Sequence, residues 1–233
     1  MIPEVDAVFS SEPYGDTFAA CLGAKHYLFD KDRTLVPVSA TAIRQKSLTH
    51  WHYLPRVVQP FFVKKIALLG SESTGKTTLA EKLAAHYHTT FVPEAAREVI
   101  GHTNDCTPAD LVQLASLHAQ NILAATPLAN RLLFLDTELT ITRSYSQFLF
   151  HQNVNVPEWV EKANRCDLYL FLTTDCPFVQ DGTRLSETER EALSAAHLAG
   201  VKKASLPCKI ISGHWQERLQ QACREVDHFI SQY

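Results

Sequence analysis

The sequence predicts an α/β fold, a parallel five-stranded sheet with helices on both faces. Three observations carry this. From Lys64 onward, apolar β-prone runs alternate with segments of helical period, as in βαβ units. The runs RLLFLD (131–136) and DLYLFL (167–172) are apolar without alternation, as strands covered on both sides are. The run KKIALLG (64–70) passes into a Gly-containing turn and then a helical face of Leu79, Leu83 and Tyr87.

The elements follow in order. Strands are predicted over 64–70, 89–92, 131–136, 167–172 and 207–212. Helices are predicted after the glycine turn and over 94–100, 109–125 behind the cap Thr107-Pro108, 140–151, 158–165, 187–198 and 215–230. Residues 1–62 read as a shorter α/β stretch, with strands over 6–10 and 26–29, a helix over 17–22 and another starting near Ser39. About 60 such residues make a marginal core alone. The segment 38–62 joins the two parts with Pro55 and Pro60 as breakers, placing the boundary near Val63 and giving domains 1–62 and 63–233.

Composition narrows the function. The 233 residues are 45% hydrophobic and 20% charged with 8 Gly and 11 Pro, which disfavours disordered and fibrous classes. A net charge of -3 with scattered Lys and Arg argues against nucleic acid as a partner and for a small molecule. The six Cys form no CxxC pair, so a reduced, cytoplasmic setting without structural zinc is expected. No apolar run is long enough to span a membrane, and residues 1–15 lack a basic region followed by an apolar stretch.

Gly70, Ser71, Glu72, Ser73, Thr74, Gly75, Lys76 and Thr77 spell the phosphate-binding P-loop (Walker A) pattern G-x-x-x-x-G-K-[ST], with Thr78 following, between a strand and a helix. Such a loop turns successive N–H groups toward phosphate oxygens at a helix N-terminus. Lys76 then reaches the β- and γ-phosphates of ATP, and the Thr77 hydroxyl can ligate Mg²⁺. Asp136 ends a buried strand at the edge where open α/β sheets bind ligands, so it is a metal candidate, with Glu138 behind it and helix capping as its plainer role. No Asn-Lys-x-Asp motif of a GTPase occurs. That leaves a small-molecule kinase, which needs an acid facing the acceptor hydroxyl and cations facing the moving phosphoryl group. Glu94 with Arg97, and Asp181, Arg184 and Arg190 in a polar stretch suited to a lid, are the candidates, although each alone also reads as an ordinary surface group.

Together these motifs resemble the ribosylnicotinamide kinase domain of the bifunctional NadR-type proteins. The resemblance lies in GSESTGKTTLAEKLA (70–84), VPEAAREVI (92–100), LFLDTELT (133–140), QDGTR (180–184) with Glu189 and Arg190, and ISGHWQER (211–218). It implies transfer of the ATP γ-phosphoryl group to the 5′-hydroxyl of nicotinamide riboside, giving nicotinamide mononucleotide. In that reading Lys76, Thr77 and Mg²⁺ act on the donor phosphates and Arg184 and Arg190 on transition-state charge. Glu94 orients or deprotonates the hydroxyl, Asp136 serves the metal, and Arg97 and Asp181 touch the ribose. Glu94 and Asp136 can exchange roles, and Tyr145, Phe148, Trp159 and Phe178 are all eligible to face the nicotinamide ring.

The segments FSSEPYGDTFAACLGA (9–24), FDKDR (29–33) and VSATAIR (38–44) are similar to the C-terminal part of the same proteins' Rossmann-like nucleotidylyltransferase domain. There Ser39, Thr41 and Arg44 would face the ATP triphosphate. The His-x-Gly-His motif expected before them does not occur, so this stretch is expected to be a vestige without adenylyltransferase activity. It is expected to persist by docking on the kinase part or in a homo-oligomer. Two alternatives stay open: a kinase for another nucleoside or small alcohol, and a non-catalytic nucleotide-dependent regulator.

Overall fold

A computed structural model describes residues 4–95, 106–178 and 186–233. The chain divides into two compact units, Met1–Tyr53 and Leu54–Tyr233. The division falls ahead of Val63, so the short helix Gln59–Phe62 goes with the second unit.

In the first unit, β1 (Ala7–Ser10), α1 (Gly15–Leu22) and β2 (Lys25–Leu28) form one βαβ unit with a parallel two-stranded sheet, Ala7 beside Lys25 and Ser10 beside Leu28. Helix α2 (Ala40–Gln45) starts at Ser39, whose hydroxyl accepts the Ala42 N–H at 3.0 Å, and Trp51–Tyr53 forms a turn of 3-10 helix. Phe9 and Tyr27 stack on each other with ring centroids 5.2 Å apart, yet both rings are largely exposed.

The second unit begins with α3 (Gln59–Phe62) and then builds the sheet: β3 (Lys64–Leu69), α4 (Lys76–His86), β4 (Thr90–Val92), α5 (Pro108–Ala125), β5 (Leu132–Asp136), α6 (Leu139–Phe150), α7 (Glu158–Asn164), β6 (Leu168–Leu172), α8 (Glu187–Lys203), β7 (Cys208–Ile211) and α9 (Trp215–Ile230). The five strands are parallel in the order β4-β5-β3-β6-β7. Every residue of β5 and β6 is buried. Since successive side chains of a strand point to opposite faces, both faces of the sheet are covered, which is why these strands read as unbroken apolar runs.

The strand and helix predictions fall within two residues of the observed ends, except that α8 continues from Leu198 to Lys203, placing Lys202 and Lys203 at the negative end of its dipole. The predicted helix over 94–100 and the lid residues Asp181 and Arg184 lie, but for Glu94 and Ala95, outside the described residues, as does Arg97. No helix among the described residues is long and apolar enough to cross a membrane.

Candidate active site

The site grows from the C-terminal ends of β3 and β5, which are neighbours, with Leu68 in register with Asp136. After β3 the backbone must turn sharply back into α4. Gly70 does this at φ +141, where a Cβ would sit 2.6 Å from the Leu172 carbonyl oxygen, and Gly75 at φ +84 is the N-cap of α4. Between them Thr74 Oγ1 donates to the Ser71 carbonyl at 2.9 Å, and Lys76 Nζ donates to the same carbonyl at 2.9 Å. The loop is thus preformed at the positive end of an eleven-residue helix.

Asp136 is fully buried, and its Oδ2 accepts the Thr77 hydroxyl at 2.5 Å. Its Oδ1 has no partner among the described residues. A hydroxyl and a buried carboxylate with a spare oxygen form the hard-oxygen donor set that suits Mg²⁺. Helix capping falls instead to Glu138, whose carboxylate accepts the Thr140 N–H at 2.9 Å at the start of α6. Burial pushes the Glu138 carboxyl up to about 7, against the pull of Thr140 and Arg143.

A cavity of about 1260 Å³ opens on the loop and is lined by 70–78, Glu94, His118, Thr137, Tyr145 and His197 among others. The cavity therefore joins the phosphate loop to Glu94, which follows β4 and is half-buried. Of the four aromatic residues eligible to face a ring, only Tyr145 lines this cavity. Trp159 lines a separate groove, and Phe178 lies under Arg190 with 5.4 Å from guanidinium to ring centroid.

Arg190 is placed differently from the expected lid cation. It is 2% exposed on the first turn of α8, with Nε on the Glu72 carbonyl at 3.0 Å and Nη2 on the Ser73 carbonyl at 3.3 Å. Nη2 also reaches the Cys176 sulfur at 3.3 Å. A guanidinium held on two loop carbonyls buttresses the phosphate loop from outside and does not line the cavity.

His197, on α8, is 1% exposed, and its Nδ1 meets Ser144 Oγ at 2.9 Å. Burial, with the nearby Lys76 charge, pulls its pKa down to about 3. The unfolded imidazole titrates near 6.5, so on acidification the unfolded state takes up the proton first and stability is lost as pH falls from about 6.5 toward 3. Between pH 7.5 and pH 5 this group alone is expected to remove about 2 kcal/mol. His197→Asn should reduce the acid sensitivity measured by urea unfolding by that amount, and equal losses in both proteins would contradict the assignment.

Residues 65–218 match the family model described as AAA domain. The chain belongs to this family. Among curated proteins it is similar to the "Trifunctional NAD biosynthesis/regulator protein NadR" of Salmonella typhimurium, 32% identical over 190 residues covering 78% of this chain and 46% of that protein. The Escherichia coli protein of the same name is 32% identical over 185 residues, 77% of this chain and 45% of that one. The chain thus spans about half the length of the curated relatives it matches. Among solved structures, the fold is similar to a NadR protein in complex with NR, with TM-score 0.76 and 22% identity over 99% of this chain and 70% of that one. It is also similar to a NadR protein in complex with NAD and AMP-PNP, with TM-score 0.75 and 22% identity over 97% of this chain and 67% of that one. The deoxyadenosine kinase of M. mycoides shares the fold of 70% of this chain and 99% of its own, with TM-score 0.53 and 13% identity.

The family match ends on Arg218, a residue to which sequence reasoning gave no role. Arg218 is 1% exposed in α9 and donates to the carbonyls of Thr74 at 3.1 Å, Gly213 at 2.8 Å and Thr173 at 3.1 Å, and it pairs with Asp175. Beside it Trp215 packs on the loop, where a Cβ on Gly75 would sit 3.1 Å from the indole. The two arginines therefore hold the carbonyls of Glu72, Ser73 and Thr74 from two helices. Arg218→Met orphans three carbonyls and is expected to cost about 3 kcal/mol. It should also weaken ATP binding at least about tenfold, because the Thr74 carbonyl loses its anchor. Urea unfolding and calorimetric titration measure both, and an unchanged midpoint would contradict the buttress role.

Proposed function

We propose that this chain is an ATP-dependent phosphotransferase that phosphorylates the 5′-hydroxyl of nicotinamide riboside. The observation that carries the reading is the Thr77–Asp136 hydrogen bond beneath a preformed P-loop, opening on the cavity that Glu94 also lines. The similarity to NadR proteins, one of them solved with NR and another with NAD and AMP-PNP, supports the choice of acceptor and donor.

Phosphoryl transfer asks the protein mainly to position the reactants and to meet the charge on the equatorial oxygens. The loop N–H groups bind the donor phosphates at the α4 N-terminus, and Lys76 turns from the Ser71 carbonyl to the β- and γ-phosphates. Thr77 and Asp136 would hold Mg²⁺, which when bound offsets the negative charge of those phosphates. Glu94 accepts the hydrogen bond of the acceptor hydroxyl and takes its proton as the bond to phosphorus forms. Arg184 meets the transition-state charge and Arg97 and Asp181 the ribose, whereas Arg190 acts through the loop carbonyls it holds. The purified protein, given MgATP and nicotinamide riboside, should form nicotinamide mononucleotide with the phosphate on the 5′-carbon by phosphorus NMR. ATP binding without turnover would favour a regulator instead.

The first unit we read as similar to the C-terminal part of a nucleotidylyltransferase domain. Ser39 caps α2, and Thr41 and Arg44 are exposed on that helix. Adenylyl transfer must stabilise a pyrophosphate leaving group, and of the two donor sets the resemblance implies, these 233 residues contain only Ser39, Thr41 and Arg44. A polypeptide of these residues is therefore expected to form no NAD from nicotinamide mononucleotide and MgATP. Pyrophosphate release at roughly 1 per second or more would contradict this.

A further inference from the structure

On α5, lining the cavity, lies His118, a residue the phosphate chemistry does not use. It is 4% exposed. Its Nε2 lies 3.3 Å from the Thr137 carbonyl oxygen, and its Nδ1 has no partner among the described residues. A carbonyl oxygen can only accept, so Nε2 carries the proton. The neutral ring then presents the Nδ1 lone pair as a hydrogen-bond acceptor. Burial lowers the pKa of the ring, against the opposing pull of the Thr137 carbonyl and Asp136. Beside it, Thr137 Oγ1 is a second buried polar atom without a partner among the described residues, on a residue at φ +74. Two such atoms at one wall of a ligand cavity are costly unless a ligand completes them.

We propose that His118 is a specificity-determining residue, its Nδ1 accepting a hydrogen bond from a secondary hydroxyl of the acceptor's ribose, so that ribosides are preferred over deoxyribosides. The position supports a ribose contact over a base contact. Thr137 directly follows Asp136, so His118 stands at the reacting end of the cavity, where the sugar must lie if its 5′-hydroxyl is to reach the γ-phosphate. Thr137 Oγ1, able to donate or accept, is placed to take part in the same contact. This inference rests on the proposed reading of the cavity as an acceptor-nucleoside site.

Two near-isosteric substitutions separate the recognition role from a structural one. Asparagine keeps an acceptor near the Nδ1 position and loses the donor to Thr137, whereas glutamine keeps a donor near the Nε2 position and loses the acceptor. The experiment measures kcat/KM for nicotinamide riboside and for its 2′-deoxy and 3′-deoxy analogues, with the full chain and with His118→Asn and His118→Gln. Thermal midpoint and ATP affinity serve as controls. The wild-type protein is expected to prefer the riboside at least about tenfold over one analogue, a preference His118→Asn retains and His118→Gln loses. An unchanged preference in a folded, ATP-binding His118→Gln protein overturns the inference and leaves the kinase reading standing, as does a wild-type protein indifferent to both deoxy positions. Phosphorylation of none of the three substrates by the wild-type protein overturns both.

Discussion

Lys76→Ala is expected to lower kcat for phosphoryl transfer by at least about 100-fold with the fold retained. The side chain is 9% exposed and donates to the Ser71 carbonyl, so it is already held against the loop proposed to bind the donor phosphates. Removing it leaves the developing charge on the transferring group without its point-charge partner. The loop itself should survive, because Thr74 Oγ1 also holds the Ser71 carbonyl and Arg190 and Arg218 hold the three carbonyls that follow. Steady-state kinetics beside a thermal midpoint test this, and near-normal turnover in a folded variant would remove the loop from the mechanism.

Glu94→Gln and Asp136→Asn should fail in different ways. Glu94 lines the cavity at the end of β4, and its loss is expected to reduce kcat by about 100-fold or more while leaving ATP affinity nearly unchanged, as expected of an acceptor-side base. Asp136 is buried and bound to Thr77, so its loss should raise the Mg²⁺ concentration needed for half-maximal activity and weaken MgATP binding. Titrations of Mg²⁺ and of ATP against each variant distinguish them. The reverse pattern would exchange the two assignments.

The parts of this molecule legible in sequence are those whose physics is local. The phosphate loop is a short run whose glycines and helix N-terminus are adjacent in the chain, and β5 and β6 announce burial on both faces by unbroken apolar runs. Helix α9, Trp215–Ile230, matches the expected 215–230 at both ends, since its N-terminal turn and helical period lie together in sequence. The buttress was not legible. Arg190 sits in the charged run ETERE and Arg218 in WQERLQQ, where a lone arginine reads as solvated. Only the fold brings each guanidinium to the carbonyls of the loop more than a hundred residues away. His118 was equally hidden, because its lone pair becomes meaningful only once Thr137 fixes the tautomer. A buried arginine four residues after the N-cap of a capped helix is the pattern worth seeking in related sequences.

If the cavity selects nicotinamide riboside as the acceptor, as proposed, a competition measures that selection directly. The protein is supplied with MgATP and an equimolar mixture of nicotinamide riboside, adenosine, cytidine, uridine and thymidine, and the monophosphates are quantified by mass at low conversion, so that their ratios are ratios of kcat/KM. Nicotinamide mononucleotide should exceed every other product by at least about tenfold. Dominance of another monophosphate, or ATP binding with no product at all, would contradict that selection.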